Sequence, residues 1–462
     1  MPSVLTWTEA PAGGPELRSD RVRRLGASHH AMWNYTTYRD AIAILGLDPE
    51  ELYPNGATRL EPAEWADLGW LTCFCGPPQS AVAAMRDAVT AANLNHYTPD
   101  LIEPLRDAAA EVIGRSRGES FEVVGAEGTQ AALALALLAT IDPGDEVIVS
   151  DPGYFHIPSA IIACGGVPVA VPIGRASGHR LDPDAVAAAI TPRTRAILMV
   201  DPVNPYGAVQ TEEELRALAE LGDRHGLLLV HDITHAPLAI DPTAAFRSLP
   251  ALDVTDRAVA VFSVSHCWGM AGARIGFLGG PPALVRDCLR VKAAITRLNT
   301  SLVAQHGALA AVGDAAYLER AQDTIRSNLA HLEHTLDGID GLSLATRPQR
   351  GLSCAVEIEE GAANEPVPTA QELMVALFAR RVAVYPGDGL GDNGAATLIR
   401  INLSRPDPWA MDHLRAVLGD GLAEARSGRW REPVLRLLER KGTERATRIA
   451  ATLRERQRRP AL

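Results

Sequence analysis

Five short runs constrain this chain most: EVIVSD, VPVAVPI, AILMVD, LLLVHD and AVAVFSVS, which end near Asp151, Ile173, Asp201, Asp232 and Ser265. Each is apolar and rich in β-branched residues, and none shows the in-out alternation of a strand with one wet face. Helical or loop segments separate them. Uninterrupted apolar strands alternating with helices imply a mostly parallel sheet covered on both faces. In such sheets a ligand sits beyond the carboxyl ends of the strands. The residues at those ends are Asp151, Asp201 to Asn204, Asp232 and Ser263 to His266.

The helices are legible from periodicity and composition. SAVAAMRDAVTAA and EPLRDAAAEVIGRS read as amphipathic helices, and TQAALALALLATI, with its continuous Ala and Leu, as a buried one. EVVGAEG reads as a strand end and loop. Two further helices, ALVRDCLRVKAAITRL and one near Ala316 to Leu336, precede a second α/β region built from LSCAVEIE, AQELMVALFARR, VAVYPG and TLIRINLS. With 462 residues, 47% of them hydrophobic, the chain can fill one large core and a smaller one. The expected division is an N-terminal arm and part of a small domain over 1–75, with one helix around Tyr38 to Leu45. A large domain over 76–335, a C-terminal small domain over 336–425 and a basic helical tail over 426–462 follow. No internal repeat is evident.

Charge and cysteine usage exclude several classes. Residues 426–462 hold twelve Arg or Lys against four Glu, a surplus of eight, so the net −12 leaves the rest of the chain near −20. So acidic a body makes nucleic-acid binding a poor expectation. The tail, helical after Pro433 with Val434, Leu435, Leu437 and Leu438 apolar, is expected to pack on the acidic body of its own dimer; an arm for RNA or an acidic partner is the alternative. No apolar run is long enough to span a membrane, and the first residues lack a secretion signal, so the cytoplasm is the expected compartment. The six cysteines are too scattered for a disulfide framework, and Cys73-x-Cys75 lacks the second pair a zinc site needs; no metal is expected.

Five segments between Glu127 and Phe277 carry the chemistry. Glu127-Gly128-Thr129 opens the Ala-rich helix, where unpaired N–H groups and the helix dipole favour an anion; alone it would serve equally as an N-cap at Thr129. The others are Asp151-Pro152-Gly153-Tyr154, Asn204-Pro205-Tyr206-Gly207, the strand end at Asp232, and SVSHCWGMAGARIGF from Ser263 to Phe277. Taken jointly and in order, they resemble the fold type I pyridoxal-phosphate enzymes, the class I/II or aspartate aminotransferase family. The resemblance implies an α/β fold with a mostly parallel sheet of the seven-stranded type in a large cofactor-binding domain, plus a smaller α/β domain. It implies pyridoxal 5′-phosphate, or its pyridoxamine form, as cofactor.

Residue by residue, the resemblance places Glu127, Gly128, Thr129, Ser263, Ser265 and Arg274 at the cofactor phosphate, where a guanidinium fork suits a dianion. Tyr154, rather than Phe155, falls at the aromatic position against the pyridine ring, although either residue could be plain core. Asn204 corresponds to the hydrogen-bond donor to the ring hydroxyl. Asp232 matches the carboxylate paired with the protonated ring nitrogen, which makes the ring an electron sink; its bland reading is an N-cap. Tyr97 corresponds to a tyrosine reaching a neighbouring subunit's phosphate, implying a homodimer with shared sites. Arg400, in LIRINLS, matches the clamp on a substrate α-carboxylate, implying an amino-acid or keto-acid ligand.

Two departures stand out. His235 occupies a position where the family has a tyrosine contacting the ring hydroxyl. His266 occupies the position of the lysine whose amine holds the cofactor covalently, and an imidazole has no primary amine to condense with an aldehyde. The chain contains only two lysines. Lys292 lies on an expected helix that would have to point into the site, and Lys441 lies in the tail. The cofactor is therefore expected to be held non-covalently, with His266 keeping only the role of proton-transfer base, for which an imidazole pKa of about 6.5 is suited near neutrality. Elimination, replacement, decarboxylation or half-transamination would all be open to such a site. An ordinary aminotransferase, and a catalytically silent homologue that binds pyridoxal phosphate or an amino acid, are the alternatives.

Overall fold

In the computed structural model, residues 19–27, 41–48, 60–98, 100–361 and 366–441 are described, with Tyr38, Leu52 and a few positions between 447 and 454. A two-residue strand β1 (Ala66–Asp67) precedes β2 (Glu122–Ala126), β3 (Glu146–Asp151), β4 (Val167–Pro172), β5 (Thr194–Val200), β6 (Leu228–Asp232), β7 (Ala258–Ser263) and β8 (Gly276–Gly280). After these come β9 (Leu342–Leu344), β10 (Ser353–Ile358), β11 (Val382–Ala383), β12 (Tyr385–Pro386) and β13 (Leu398–Asn402).

Strands β2 to β8 form one seven-stranded sheet in the order β2-β8-β7-β6-β5-β3-β4. The run from β4 to β7 is parallel, and β8 is antiparallel to both its neighbours. The expected α/β fold with a mostly parallel, helix-covered sheet is what the chain adopts. The register puts the carboxyl ends of the parallel strands side by side, Val200 pairing with Asp232 and Asp232 with Val261, and sets Ser263 at the end of β7 against Gly276 at the start of β8. A four-stranded antiparallel sheet, β12-β13-β10-β9, and the pair β1-β11 account for the later strands.

Four local readings change. The GFLGG of β8 carried no strand signal because glycine is a poor strand former, yet Gly279 is where the helix Glu103–Ile113 crosses: a Cβ there would lie 2.5 Å from Ile113. VPVAVPI is an edge strand, not a buried one, with Pro168 and Pro172 on a border where a missing N–H costs no ladder bond. SAVAAMRDAVTAA is two helices, Gln79–Ala88 and Ala91–Asn95; Thr90 between them is extended (φ −126°) and its side chain caps Asn93 N–H. The tail helix Arg431–Lys441 begins before Pro433, which sits harmlessly in the first turn. It buries Val434, Leu435, Leu437 and Leu438, and Arg431 pairs with the fully buried Glu372 at 3.1 Å. All six cysteines are free thiols. No helix of the described residues is long and apolar enough to cross a membrane.

Candidate functional site

Beyond the ends of β2, β5, β6 and β7 lies a cavity of about 200 Å³. Its wall includes Thr129, Tyr154, Asn204, Asp232, His235, Ser263, Ser265, His266 and Arg274, nine of the residues the sequence nominated. Glu127 and Gly128 adjoin it through Arg274, whose Nη2 donates to the Glu127 carbonyl at 2.9 Å. Gly128, the N-cap of the helix Thr129–Leu138, has φ +92°, and a Cβ there would lie 2.4 Å from Arg274 Nη2. The left-handed φ calls for glycine, and a methyl group there would also displace the Arg274 guanidinium. Thr129 is therefore the first residue of the helix, not its cap. At this end the free N–H groups, the two serines and one guanidinium provide an anion cradle.

Asp232 is buried, and among the described residues its hydrogen bonds come from Thr234, whose N–H and hydroxyl both reach Oδ1, at 3.0 and 2.5 Å. Burial pushes its carboxyl up to about 6 against those bonds and the nearby His231. A buried carboxylate held by neutral donors alone has room for a cationic partner. Tyr154 faces the cavity, whereas Phe155 is buried and stacks on Tyr385 at 5.8 Å.

His266 Nδ1 lies 2.7 Å from the Leu71 carbonyl, so that nitrogen carries the proton and donates. Nε2 is left as a lone-pair acceptor on the cavity wall. Burial lowers the His266 pKa to about 4, with Arg400 and Arg274 adding to the depression and the Leu71 bond opposing it. The imidazole is thus neutral at physiological pH, but a weaker base than the unperturbed value suggested. His235 packs on it at 4.6 Å between ring centroids and is held well below the usual range, first by burial and then by the charges near it. The pair is two neutral rings.

Arg400 is just outside the cavity wall and almost fully buried. Nη1 donates to Asn204 Oδ1 at 3.3 Å, Nη2 donates to the Gly69 carbonyl at 2.8 Å, and the guanidinium lies over Tyr385 at 4.5 Å. Among the described residues no carboxylate balances it, and burial lowers its pKa. Asn402, on the same face of β13, donates to the Trp70 and Thr72 carbonyls at 2.6 and 2.7 Å. Strand β13 thus holds the loop 69–72, and that loop holds His266. Tyr97 is elsewhere: its ring is 75% exposed, under Arg297.

No lysine lines the cavity. Lys292 is fully buried, and its three protons are all committed, to Asp100, to the Gly125 carbonyl and to Thr300 Oγ1. Sequence reasoning missed Thr234 and Asn402. For Thr234 a signal existed, since a threonine two residues after an aspartate commonly bonds back to it.

A phosphate-bearing pyridine fits this donor set. Asn204 Nδ2, His235 Nδ1 and Arg400 Nε are buried polar atoms without partners among the described residues, and their grouping at this cavity leaves them open to a polar ligand. The described residues contain no group of three or more His, Cys, Asp or Glu side chains suited to a metal ion.

Comparison with known proteins agrees with the geometry. The family model for class I and II aminotransferases matches residues 71–418. The chain is 30% identical to the aspartate/prephenate aminotransferase of Thermus thermophilus over 350 residues, 74% of this chain and 88% of that protein. It is 31% identical to the aspartate aminotransferase of Geobacillus stearothermophilus over 314 residues, 66% and 79% respectively. A crystal structure of a double mutant of the T. thermophilus aspartate aminotransferase superposes with a TM-score of 0.72 at 26% identity, covering 87% of this chain and 99% of that one. The aspartate aminotransferase of Rhizobium meliloti shares the fold, with a TM-score of 0.73 over 89% of this chain and all of that one, at 24% identity. On the cavity at the strand ends and on these matches, the chain belongs to the class I and II aminotransferases, a family of pyridoxal-phosphate-dependent enzymes.

Proposed function

We propose that this enzyme holds pyridoxal 5′-phosphate, or the pyridoxamine form, without a covalent tether and acts on an α-amino acid or keto acid, with His266 as the proton-transfer base. The observation that carries the reading is the state of His266: Nδ1–H is spent on Leu71, Nε2 is a free acceptor on the cavity wall, and Lys292 is sealed in its own ion pair with Asp100. The bound ring would supply an electron sink for a carbanion at the substrate Cα. Thr129, Ser263, Ser265 and Arg274 would hold the phosphate, Tyr154 one ring face, Asn204 and His235 the ring hydroxyl, and Asp232 the protonated ring nitrogen. Arg400 would clamp the substrate carboxylate by a bidentate bond.

The same clamp tunes the base. A carboxylate on Arg400 and a phosphate on Arg274 cancel the two charges that depress His266, so its basicity rises when the site is filled. Nε2 of His266 would take up and hold the proton lost from the substrate Cα, a role worth about 10²–10⁴ in rate when the base is positioned. Half-transamination is the simplest outcome. Tyr97, exposed on one chain, suits a role at the site of a second copy in a homodimer. We place the large domain at 76–335 and the small domain at 336–425, with Arg400 brought from the latter. A second reading, ordinary transamination of aspartate or prephenate-type acids, is favoured by the names of the relatives.

The test is spectroscopic. Pyridoxal phosphate added to the purified protein is expected to bind with the spectrum of the free aldehyde, and a new band is expected only when an amino acid is added. Single-turnover conversion should fall about 10²–10⁴-fold in His266→Ala while pyridoxal phosphate still binds. Undiminished turnover in that variant would remove His266 as the base.

A further inference from the structure

Thr234 is absorbed by none of the roles above, yet it stands between the two halves of the cavity. Its hydroxyl lies 2.5 Å from Asp232 Oδ1 and 2.9 Å from Thr129 Oγ1, while its own N–H adds a second bond to Oδ1 at 3.0 Å. Its carbonyl accepts from Cys267 Sγ at 3.1 Å, which fixes the backbone, and its side chain is buried. An ionised carboxylate can only accept, so the Thr234 proton must point at Asp232. The Thr234 oxygen then accepts from Thr129, and the Thr129 proton is spent in that direction. Three groups form one directed chain, from the first residue of the anion-cradle helix to the carboxylate at the end of β6.

We propose that Thr234 is a positioning residue that aligns Asp232 and couples it, through the Thr129 hydroxyl, to the anion cradle. The inference rests on the reading of the cavity as the cofactor site and deepens it. While Asp232 is charged, the chain runs toward it and Thr129 offers the cradle lone pairs only. When Asp232 takes up a proton the chain can reverse, and Thr129 regains a donor for an anion. The charge at the ring-nitrogen end is thereby communicated to the phosphate end through two hydroxyls, with no movement of backbone. The groups facing Asp232 are few. His231 beside it is paired with Asp201 at 3.0 Å and bonded by Leu249 N–H at 2.9 Å, and His235, His266 and Arg274 share the cavity wall. Among the described residues, only Thr234 hydrogen-bonds the carboxylate.

The titration of the Asp232 carboxyl in the ligand-free protein tests this, read by infrared difference spectra against Asp232→Asn. The wild type is expected to titrate near 6. Thr234→Val removes one hydrogen bond to the charged form and is expected to move the midpoint up by about one to two units. Thr234→Ser should restore it. Thr129→Val, two bonds away, should move it in the same direction by a fraction of that amount, because hydroxyl chains polarise one another. An unchanged midpoint in Thr234→Val, or a Thr234→Ser variant that behaves like the valine, overturns the proposal. If Thr234→Val does not fold, the serine and Thr129→Val midpoints decide it: a serine midpoint away from wild type, or no shift in Thr129→Val, overturns it. Equilibrium dialysis with pyridoxal phosphate is a separate arm. Failure of the wild type to bind it would overturn the cofactor reading alone, since the carboxyl titration needs no ligand.

Discussion

Replacing Asp232 by asparagine should stabilise the ligand-free protein and weaken the loaded one. Burial moves the carboxyl from its ordinary 3.8 up to about 6, so the folded chain prefers it protonated. The charged form is therefore a burden that is absent below pH 3.8, grows as pH rises from there to about 6, and is constant above. A shift of about two units at 1.36 kcal/mol each amounts to about 3 kcal/mol at pH 7.5, and to about half of that at pH 5. Asparagine keeps Oδ1 for both Thr234 donors and removes only the charge. Urea unfolding of wild type and Asp232→Asn at the two pH values, with the slopes of the transitions compared, measures the difference directly. The variant should be the more stable at pH 7.5, and its advantage should shrink at pH 5. With saturating pyridoxal phosphate the order should invert, because a protonated ring nitrogen favours the carboxylate and gains little from an amide. A variant less stable than wild type at both pH values, or an advantage that grows as pH falls, would refute the account of Asp232.

Other outcomes follow from the same geometry. Lys292→Met should cost about 3–5 kcal/mol by leaving Asp100 buried without its ammonium, and the double variant with Asp100→Asn should recover much of it with an unchanged pyridoxal phosphate spectrum; a changed spectrum would make Lys292 part of the site. Gly128→Ala should weaken pyridoxal phosphate binding and destabilise by at least about 1–2 kcal/mol, since φ +92° and the Arg274 contact both oppose a methyl group there; unchanged binding by dialysis would contradict the cradle. Arg400→Gln should raise KM for an amino-acid substrate about 30-fold or more, the loss of a buried charge pair, with pyridoxal phosphate affinity held within a few-fold. The acid limb of kcat should lie above the titration of His266 near 4 in the ligand-free protein, because filling the site removes two depressing charges; the reverse order, by kinetics and imidazole NMR, would show that the clamp does not tune the base.

Much of this was legible beforehand, and the exceptions have physical causes. The strand ends were readable because apolar runs fix both the strand and its last residue, so Asp232, Asn204 and Ser263 fell where the cavity lies. The Gly-rich β8 was not, because its glycines serve close approach to a helix and to Gly128, a tertiary demand with no local signature. The wet edge of β4 was hidden for a related reason: burial of a strand depends on its neighbours, and β4 has one. His266 could be nominated but its basicity could not, since burial, which chiefly depresses it, the Leu71 bond and the Arg400 charge depend on distant parts of the chain. Lys292 was rejected on helix geometry alone; the stronger reason, three committed protons, needed Asp100, Gly125 and Thr300 in place.

Borohydride reduction of the pyridoxal-phosphate-loaded protein, followed by intact mass measurement and peptide mapping, probes the absence of a covalent tether most directly. The mass should stay that of the bare chain, with all the pyridoxal phosphate removable by dialysis before reduction. A stable phosphopyridoxyl group on Lys292 would contradict the account.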